Sequence, residues 1–563
     1  MKAFFKLTLV LLIMAMFSSC GKKNDLGKMI PKNAMFVAQV NMKSMSDKLS
    51  WKDIQQTSWY KKTFSDSATP EWRKKILDNP GASGIDFDKE LVFFSEKASG
   101  AGFFFAVEGT IKNEKDFEQF NKNFDPSQTI KKEGEVNLLT LKDKNVVGWN
   151  GKRFAYVMNS QTTSSELYSF DSTNSKNISP ANNSTELASF CKRLFMLKSD
   201  SSLEKNEKFG DMVTENGDIH MWQNTEEIMK SSPSLGMLGM LKLDAFFKDN
   251  ISTYTINFDK GKIAVNQKAY LSKELTDVLK KYLSGKINTD MIKDIPSQNV
   301  YAILSANFKP GGIVELIKLT GADGIINTYT QEVGFTLDDF AKAGNGDLLV
   351  AVTDLKMKED SFNYKDDLGN DLGSGKFNKP DYNYIFSLGI ADKASLQKLI
   401  DAGKKMSSQM GKDSLLNFDM NDKTFALSNS GTFAKQYLAG GNNKYDFTDK
   451  INGHPIGMYI DFHKIFSELA TDANEKADTK ALMEQNLKIW NNFSLTAGDY
   501  KDGAFTAHAE MNLIDPGTNS LKQLNTYFDE VYQIMESRKA GYANRKNLDS
   551  LLTPPPIDTV KVK

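Results

Sequence analysis

The feature that most constrains the fold is a pattern of strand-like and helix-like segments that occurs twice along the chain. Residues 30–45 and 295–315 both begin with Ile-Pro, pass through a short polar turn into an apolar strand, and end in a helix-like segment. Pro31 and Pro296 are 265 residues apart. Because one such match is weak, the later segments must also follow in the same order if the pattern is a repeat.

Four later pairs of segments do follow in the same order. They are apolar strands at 87–94 and 346–352, strands leading into helices at 102–124 and 384–406, strands at 218–224 and 455–461, and hairpins at 254–270 and 493–511. This order favours a tandem duplication. The alternative is that any chain that mixes strands and helices gives a similar order.

The predicted fold class is α+β, with two tandem similar halves that each form a mostly antiparallel β-sheet with packed helices. The predicted divisions are a signal peptide at 1–19, a lipidated tether at 20–27, an N-terminal half at 28–290, a C-terminal half at 291–540 and a Pro-containing C-terminal tail at 541–563. Three consecutive prolines at 554–556 favour an extended or disordered tail.

Residues 1–20 predict export and lipidation. Lys2 and Lys6 are followed by an apolar run at 7–17, which is shorter than the roughly 20 residues of a bilayer-spanning helix. The run ends in Ser18-Ser19-Cys20, which is typical of a lipobox. We therefore predict cleavage before Cys20 and a membrane anchor of palmitate-type chains on its thiol, in the outer membrane of the cell envelope. An ordinary signal peptide that contains a cysteine is the alternative, and the body can face the periplasm or the cell exterior.

Composition excludes one class of partner. Lys plus Arg and Asp plus Glu are equal at 71 each, so no net positive charge attracts nucleic acid. If Cys20 carries lipid, Cys191 is the only remaining thiol and no intrachain disulfide can form. Cys191 lies in an apolar, helix-like run at 187–197, which predicts a buried, unreactive thiol.

The chain has no local motif for a catalytic, metal or cofactor site. The histidines are not arranged as His-Glu-x-x-His; they are His220, His454, His463 and His508. Residues 369–377 resemble a phosphate loop, but Asn370 and Phe377 replace its glycine and its Ser or Thr, so a hairpin loop is predicted. Paired carboxylates remain an alternative, because they need no local motif.

Three tryptophans have two interpretations. Trp51, Trp59 and Trp72 are spaced with other aromatic residues as on helix faces that pack in a core. The alternative is an exposed platform on which a sugar or a partner stacks.

The lipobox, the Ile-Pro-Lys-Asn-Ala segment at 30–34 and the repeated strand-to-helix segments resemble a family of large lipoproteins of Bacteroidetes bacteria, known only as a domain of unknown function. The resemblance covers nearly the whole mature chain and implies an exported two-part body without an established activity. It also implies O-glycosylation at Asp-Ser/Thr-apolar triplets, which makes Ser550 and Thr559 candidate sites. Ser67 and Ser414 lie in triplets of the same pattern.

These observations favour a non-catalytic binding or scaffolding protein of the cell envelope, without a cofactor. Its expected partners are the membrane, through the lipid on Cys20, and an envelope protein or polysaccharide. One alternative is a hydrolase that acts on glycan or peptide with paired carboxylates. Another is a solute-binding lipoprotein with a hinged cleft between its halves.

Overall fold

The computed structural model of the chain describes most of its length. The described residues are 25–64, 70–98, 102–141, 144–160, 184–231, 246–365, 371–409, 417–471 and 477–552. Eighteen strands within these ranges form one sheet in which every pair of neighbouring strands is antiparallel.

The strands differ widely in length. They are β1 Phe36–Asn41, β2 Glu90–Lys97, β3 Phe103–Thr110, β4 Lys131–Glu133, β5 Val136–Thr140, β6 Val146–Trp149, β7 Arg153–Ser160, β8 Ile219–Asn224, β9 Ile251–Asp259, β10 Lys262–Tyr270, β11 Val300–Asn307, β12 Gly344–Lys365, β13 Asp371–Ile390, β14 Asn417–Met420, β15 Thr424–Ser428, β16 Ile456–Asp461, β17 Trp490–Lys501 and β18 Ala504–Leu513.

The α-helices lie between the strands and after the last one. They are α1 Met42–Lys48, α2 Trp51–Gln55, α3 Ser58–Phe64, α4 Glu71–Asp78, α5 Glu114–Lys122, α6 Ser184–Phe195, α7 Glu207–Thr214, α8 Thr225–Ser231, α9 Lys273–Tyr282, α10 Thr289–Lys293, α11 Gly311–Thr320, α12 Asp323–Val333, α13 Leu337–Ala343, α14 Lys393–Gln409, α15 Gly431–Leu438, α16 Thr448–Ile451, α17 Phe462–Leu469, α18 Ala477–Ile489 and α19 Ser520–Leu552. Short 3-10 helices span Asp25–Met29, Pro80–Ser83, Ser199–Ser201 and Leu203–Lys205.

The α+β class and the antiparallel pairing are confirmed, but the strands form a single sheet rather than one sheet for each half. Across the sheet the order is β4-β5-β6-β7-β3-β2-β1-β8-β9-β10-β18-β17-β16-β11-β12-β13-β15-β14. The pairing of β10 with β18 joins the strands of residues 36–270 to those of residues 300–513. A local sequence pattern does not encode this pairing, because β10 and β18 are distant along the chain. The pairing supplies hydrogen-bond partners for two strand edges that would otherwise be free.

The predicted hairpins at 254–270 and 493–511 are confirmed as β9–β10 and β17–β18. Their turns contain Gly261 and Gly503 at φ +68° and +81°, in the left-handed region that glycine enters without strain. The strands at 219–223 and 456–460 are present as β8 and β16. In each case the strand pairs on one side with β1 or β11 and on the other side with the first strand of the hairpin.

Polar caps begin the helices that follow these strands. Asn41 accepts a hydrogen bond from the Ser44 amide at the start of α1, and Asp461 accepts one from the Lys464 amide at the start of α17. The predicted helices at 114–124 and 393–406 are present as α5 and α14. The last helix, α19, extends to Leu552 and therefore into the segment that the sequence assigns to the tail.

Two tight apolar cores lie on one side of the sheet, which we call the first face. The N-terminal core packs strand residues such as Val37 and Phe94 against α6 and α7. The C-terminal core packs Ile303, Leu349 and their neighbours against α10 and α15. Since each completely buried large apolar side chain contributes roughly 1.5–3 kcal/mol, these cores account for much of the stability of the fold.

The opposite side, the second face, carries two smaller apolar clusters towards its ends. There α5 packs on β5–β7 around Phe117 and Trp149, and α14 packs on β13–β15 around Leu396 and Phe425. Between these ends lies a row of directly paired apolar residues, which we call the open row: Val40, Ile219, Ile256, Val265, Ala509, Leu495, Met458, Leu304 and Val350.

A long arm extends from the sheet where β12 and β13 continue beyond their other partners. Residues 356–365 pair with residues 371–381, and the rings of Phe362 and Phe377 are both exposed on this arm. The sequence predicted a hairpin loop at 369–377, whereas 371–377 is strand. The alternation of apolar and polar residues that marks a half-buried strand is weak here, because both faces of a two-stranded ribbon are in water.

Candidate functional site

A cleft with a volume of about 1050 Å³ lies beside the N-terminal core. Its walls come from the ends of β2, β8 and β9, from α6, and from the 3-10 helices between α6 and α7. Charged side chains of both signs line it, and Trp222 contributes to its apolar part. A cleft of this size is large enough for a drug-sized ligand or for a short segment of a polymer.

A buried carboxylate forms one wall of the cleft. Glu96 on β2 is buried and accepts hydrogen bonds from Arg193 Nη2 at 2.6 Å and from Asn33 Nδ2 at 2.9 Å. The Arg193 guanidinium also lies 4.9 Å from the Phe190 ring centroid. Because Glu96 neutralises much of the charge of Arg193 and holds its position, the exposed part of the guanidinium is a preorganised hydrogen-bond donor.

Trp222 on β8 has a buried indole, and no hydrogen-bond acceptor among the described residues lies within reach of its Nε1. Its ring packs edge-on against Phe209 of α7, with centroids 5.8 Å apart. A buried donor without a partner destabilises the fold by about 1–3 kcal/mol. An acceptor oxygen on a bound ligand would remove this penalty.

A second cation lies near the mouth of the cleft. Lys208 Nζ is 4.8 Å from the Tyr270 ring centroid, and desolvation by burial lowers the pKa of Lys208. Glu207 and Asp249 also line the cleft, and Asp249 opposes the desolvation effect on the lysine. The cleft therefore offers both donors and acceptors and suits a polar ligand more than an apolar one.

Glu108 on β3 is completely buried and lies outside the cleft. A buried carboxylate with a raised pKa is what a hydrolase with paired carboxylates would use as its acid. Burial raises its pKa to about 7, an effect that the Arg153 guanidinium, 3.8 Å away, partly opposes. Its two oxygens accept no hydrogen bond from the described residues. Glu108 thus faces a cation inside the N-terminal region of the sheet rather than a second carboxylate across a pocket.

Cys191 is buried in α6, as the sequence predicted. Its Sγ lies 3.6 Å from the Ala155 carbonyl oxygen, and burial raises the pKa of the thiol to about 12. A thiol with so high a pKa has almost no thiolate near neutral pH and is unreactive.

The four histidines have different local partners and do not form one site. His220 is buried with its Nε2 3.2 Å from the Glu215 carbonyl oxygen, and burial lowers its pKa. His454 pairs with Asp499, His463 lies beside Ser467, and His508 lies beside Asn266. In the described ranges, no three His, Cys, Asp or Glu side chains are grouped closely enough to hold a metal ion.

The three tryptophans near the N-terminus pack mainly against helices. Trp51 donates its indole N–H to the Leu77 carbonyl at 2.8 Å and, like Trp59, contacts the Tyr60 ring edge-on. Trp72 lies against Phe124 with ring centroids 4.9 Å apart. Trp51 is exposed, whereas Trp59 and Trp72 are half-buried, so packing accounts for two of the three better than a sugar platform.

The predicted modification sites lie at or beyond the limits of the described residues. Cys20, Ser67, Ser414 and Thr559 lie outside them. For Ser550 the structure describes only the backbone, within α19. Among the helices that the structure describes, none is long and apolar enough to cross a membrane.

Sequence reasoning missed the cleft. Asn33, Glu96, Arg193 and Trp222 are far apart along the chain and lie in a turn, on two strands and on a helix. The one local signal is that Glu96 is an acidic residue at the end of an apolar strand, and this is also what an ordinary exposed strand end looks like.

Comparison with known proteins places the chain in a family. The model of the family described as Domain of unknown function (DUF4836) matches residues 27–365, more than half of the chain, so the chain belongs to this family. A solved structure of TP0453, crystal form III, matches 46% of this chain and 88% of its own at 7% identity and a TM-score of 0.23, which is too low to support a common fold. None of the curated proteins matches the chain.

Proposed function

We propose that this member of the DUF4836 family is an exported, lipid-anchored protein of the cell envelope that binds a polar ligand in the cleft beside its N-terminal core. The observation that carries the proposal is the buried Trp222 N–H, which has no acceptor among the described residues and belongs to a side chain that lines the cleft of about 1050 Å³. Arg193, held by the buried Glu96, supplies a second fixed donor. Oxygen-rich polymers of the envelope, such as polysaccharide or peptidoglycan, have the acceptors that these donors need.

The binding claim is tested by removing the indole donor while keeping an aromatic ring. We expect Trp222→Phe to weaken binding of soluble peptidoglycan fragments or envelope oligosaccharides about tenfold, the effect of one lost hydrogen bond of about 1.4 kcal/mol. Isothermal titration of the full chain measures this.

Trp149→Phe is the matched control, because Trp149 is also buried with an unpaired Nε1 but lies in the apolar cluster around Phe117. Its affinity should equal that of the unmodified chain. The absence of saturable binding to every probe, or an equal loss in both variants, contradicts the proposal.

The anchoring claim rests on the lipobox-like end at Cys20. We expect Cys20→Ala to leave the chain unprocessed or to release it from the membrane fraction, with an unchanged circular dichroism spectrum. A variant that is processed normally and stays in the outer-membrane fraction after mild washing argues against lipid attachment at Cys20.

We also infer that the two copies of the segment pattern descend from a tandem duplication. The order β6-β7-β3-β2-β1-β8-β9-β10 in one part of the sheet corresponds element by element to β14-β15-β13-β12-β11-β16-β17-β18 in the other. This correspondence supports the inference, and a superposition of the two sets of strands in an experimental structure tests it. Unrelated strand directions in the superposed sets would argue against it.

A further inference from the structure

Two further pockets continue the cleft along helix α6. The first has a volume of about 480 Å³ and shares Asn33, Arg193 and Glu227 with the cleft. The second has a volume of about 370 Å³ and shares Ser189 and Arg193 with the first. Because each pocket shares side chains with the next, the three form one groove, which we call the α6 groove.

The α6 groove is longer than a small solute needs. The pocket at its far end is lined by residues from Thr185 to Met196, over nearly the whole length of α6, which is about 18 Å. The cleft alone already has the volume of a large ligand pocket, because such pockets usually have about 300–1,000 Å³. A ligand that fills the whole groove is therefore a chain of several units.

The middle of the α6 groove is open to a ligand that passes along the helix. Ser189 is exposed and Ala188 beside it is half-buried, so two small side chains leave room on the outer side of α6. The Phe190 ring lies 4.9 Å from the Arg193 guanidinium and stacks on Phe104 with centroids 4.3 Å apart. These rings support the arginine at the point where the three pockets meet.

The charges of the α6 groove favour an uncharged chain. Carboxylates are slightly more numerous than cations among its lining residues, so an anionic polymer gains no electrostatic attraction. Many of these groups are neutralised in ion pairs, which are Arg193–Glu96, Lys192–Glu133, Lys205–Asp200, Lys230–Glu226 and Lys230–Glu227. A cationic polymer would have to compete with the chain's own cations for the same carboxylates.

The strands that line the α6 groove are poorly suited to an extended peptide. In the cleft and the middle pocket these strands are β2, β3, β8 and β9, and each is paired with a neighbour on both sides. Strand β4, which contributes Glu133 at the far end, is at the edge of the sheet but has only three residues. Because strand addition of a peptide needs an unpaired edge of useful length, recognition in the groove depends on side chains.

An uncharged glycan supplies the groups that these side chains need. An acetamido carbonyl accepts hydrogen bonds, as the N–H groups of Trp222 and Arg193 require. A sugar hydroxyl also donates, which suits the carboxylates of Glu207 and Asp249 in the cleft. A glycan chain repeats these groups along its length, as a groove of three pockets requires.

We propose that the α6 groove binds an uncharged glycan chain of acetamido sugars. One end of the chain enters the cleft at Trp222, and the following units pass Arg193 and lie along the outer side of α6. This inference rests on the proposed binding function of the cleft and adds the class of the ligand and its path.

The dependence of affinity on chain length tests the path. We expect the full chain to bind chito-oligosaccharides, which are uncharged chains of N-acetylglucosamine, with an affinity that rises about tenfold from the dimer to the hexamer, the effect of one further hydrogen bond. Ser189→Tyr should remove this rise, because its ring would fill the groove beyond the cleft. Its affinity for the dimer should be unchanged, because Ser189 does not line the cleft, and this also shows that the variant folds. Isothermal titration measures both affinities.

Ser537→Tyr is the matched control, because Ser537 is exposed on α19 and does not line the groove. Both of its affinities should equal those of the parent chain. Equal affinity for dimer and hexamer, or a rise that Ser189→Tyr leaves intact, overturns the inference but not the binding function of the cleft. Binding of soluble peptidoglycan fragments without binding of any chito-oligosaccharide also overturns the inference alone, because the charged peptide part would then be what is recognised. No binding of either kind of probe contradicts the binding function itself.

Discussion

The two faces of the sheet are formed by the same strands but differ in how completely their side chains are buried. On the first face, buried residues such as Ile303 pack into two cores, and polar residues such as Gln39 and Ser305 are buried among them. On the second face, the open row is entirely apolar and remains partly exposed. Apolar composition alone therefore does not identify the core of this protein; the core is where helices cover the apolar side chains completely.

The contrast is sharpest where β10 meets β18. On the first face, Asn266 and His508 are directly paired and exposed, and they separate the N-terminal core from the C-terminal core. On the second face, the adjacent residues Val265 and Ala509 are also directly paired and continue the open row. At this junction, exposed polar side chains separate the two cores of the first face, whereas the apolar row of the second face continues without interruption.

The largest expected effect distinguishes the faces by stability. Ile303 and Leu304 are consecutive on β11, and they are 2% and 36% exposed. We expect Ile303→Ala to lower the free energy of unfolding by about 3–4 kcal/mol, because it leaves a cavity in the C-terminal core. Leu304→Ala should lower it by about 1 kcal/mol or less, because less apolar area is lost from contact.

Urea unfolding of the two variants, followed by circular dichroism, measures this difference. The free energy of unfolding should fall with urea concentration at the same slope in the parent chain and in both variants, so that the midpoints can be compared. Equal losses in the two variants would mean that the second face is packed as tightly as the first.

The sequence predicts the order of the elements better than their assembly. Hairpins β9–β10 and β17–β18 follow from alternation and a glycine turn, and the burial of Cys191 follows from its apolar helix. The single sheet, the cleft around Trp222 and the open row depend on which distant strands pair and on how closely helices cover them. Alternation predicts that a strand has two faces, but the open row shows that it does not predict which face is sealed.

A second, smaller effect depends on pH. The pKa of Glu108 is raised to about 7 in the folded chain from an ordinary value near 4.5, so the folded state keeps this proton where the unfolded state has lost it. The protonated Glu108 contributes fully to the stability of the folded state below about pH 4.5. This contribution is lost as the pH rises through 7. The loss is about 3 kcal/mol if only this group is considered.

We expect Glu108→Gln to remove this part of the pH dependence, so that its urea midpoint relative to the parent rises between pH 5 and pH 8. Glu118→Gln is the control, because Glu118 is half exposed and its ion pair with Lys122 on α5 is of the surface type. A parent chain whose stability does not fall between these pH values would show that Arg153 compensates the buried charge.

The smallest expected effect comes from the junction of β10 and β18. His508 is exposed, its Nδ1 lies 2.8 Å from Asn266 Oδ1, and its Nε2 lies 3.3 Å from Glu510 Oε1. Because these contacts are solvated, His508→Ala should change the free energy of unfolding by no more than about 0.5 kcal/mol. Ala509→Asp, one residue further on the second face, should instead lower the free energy of unfolding by more than about 1 kcal/mol, because its carboxylate would be half-buried among apolar residues. If the two variants lower the free energy of unfolding equally, the junction does not separate the two faces.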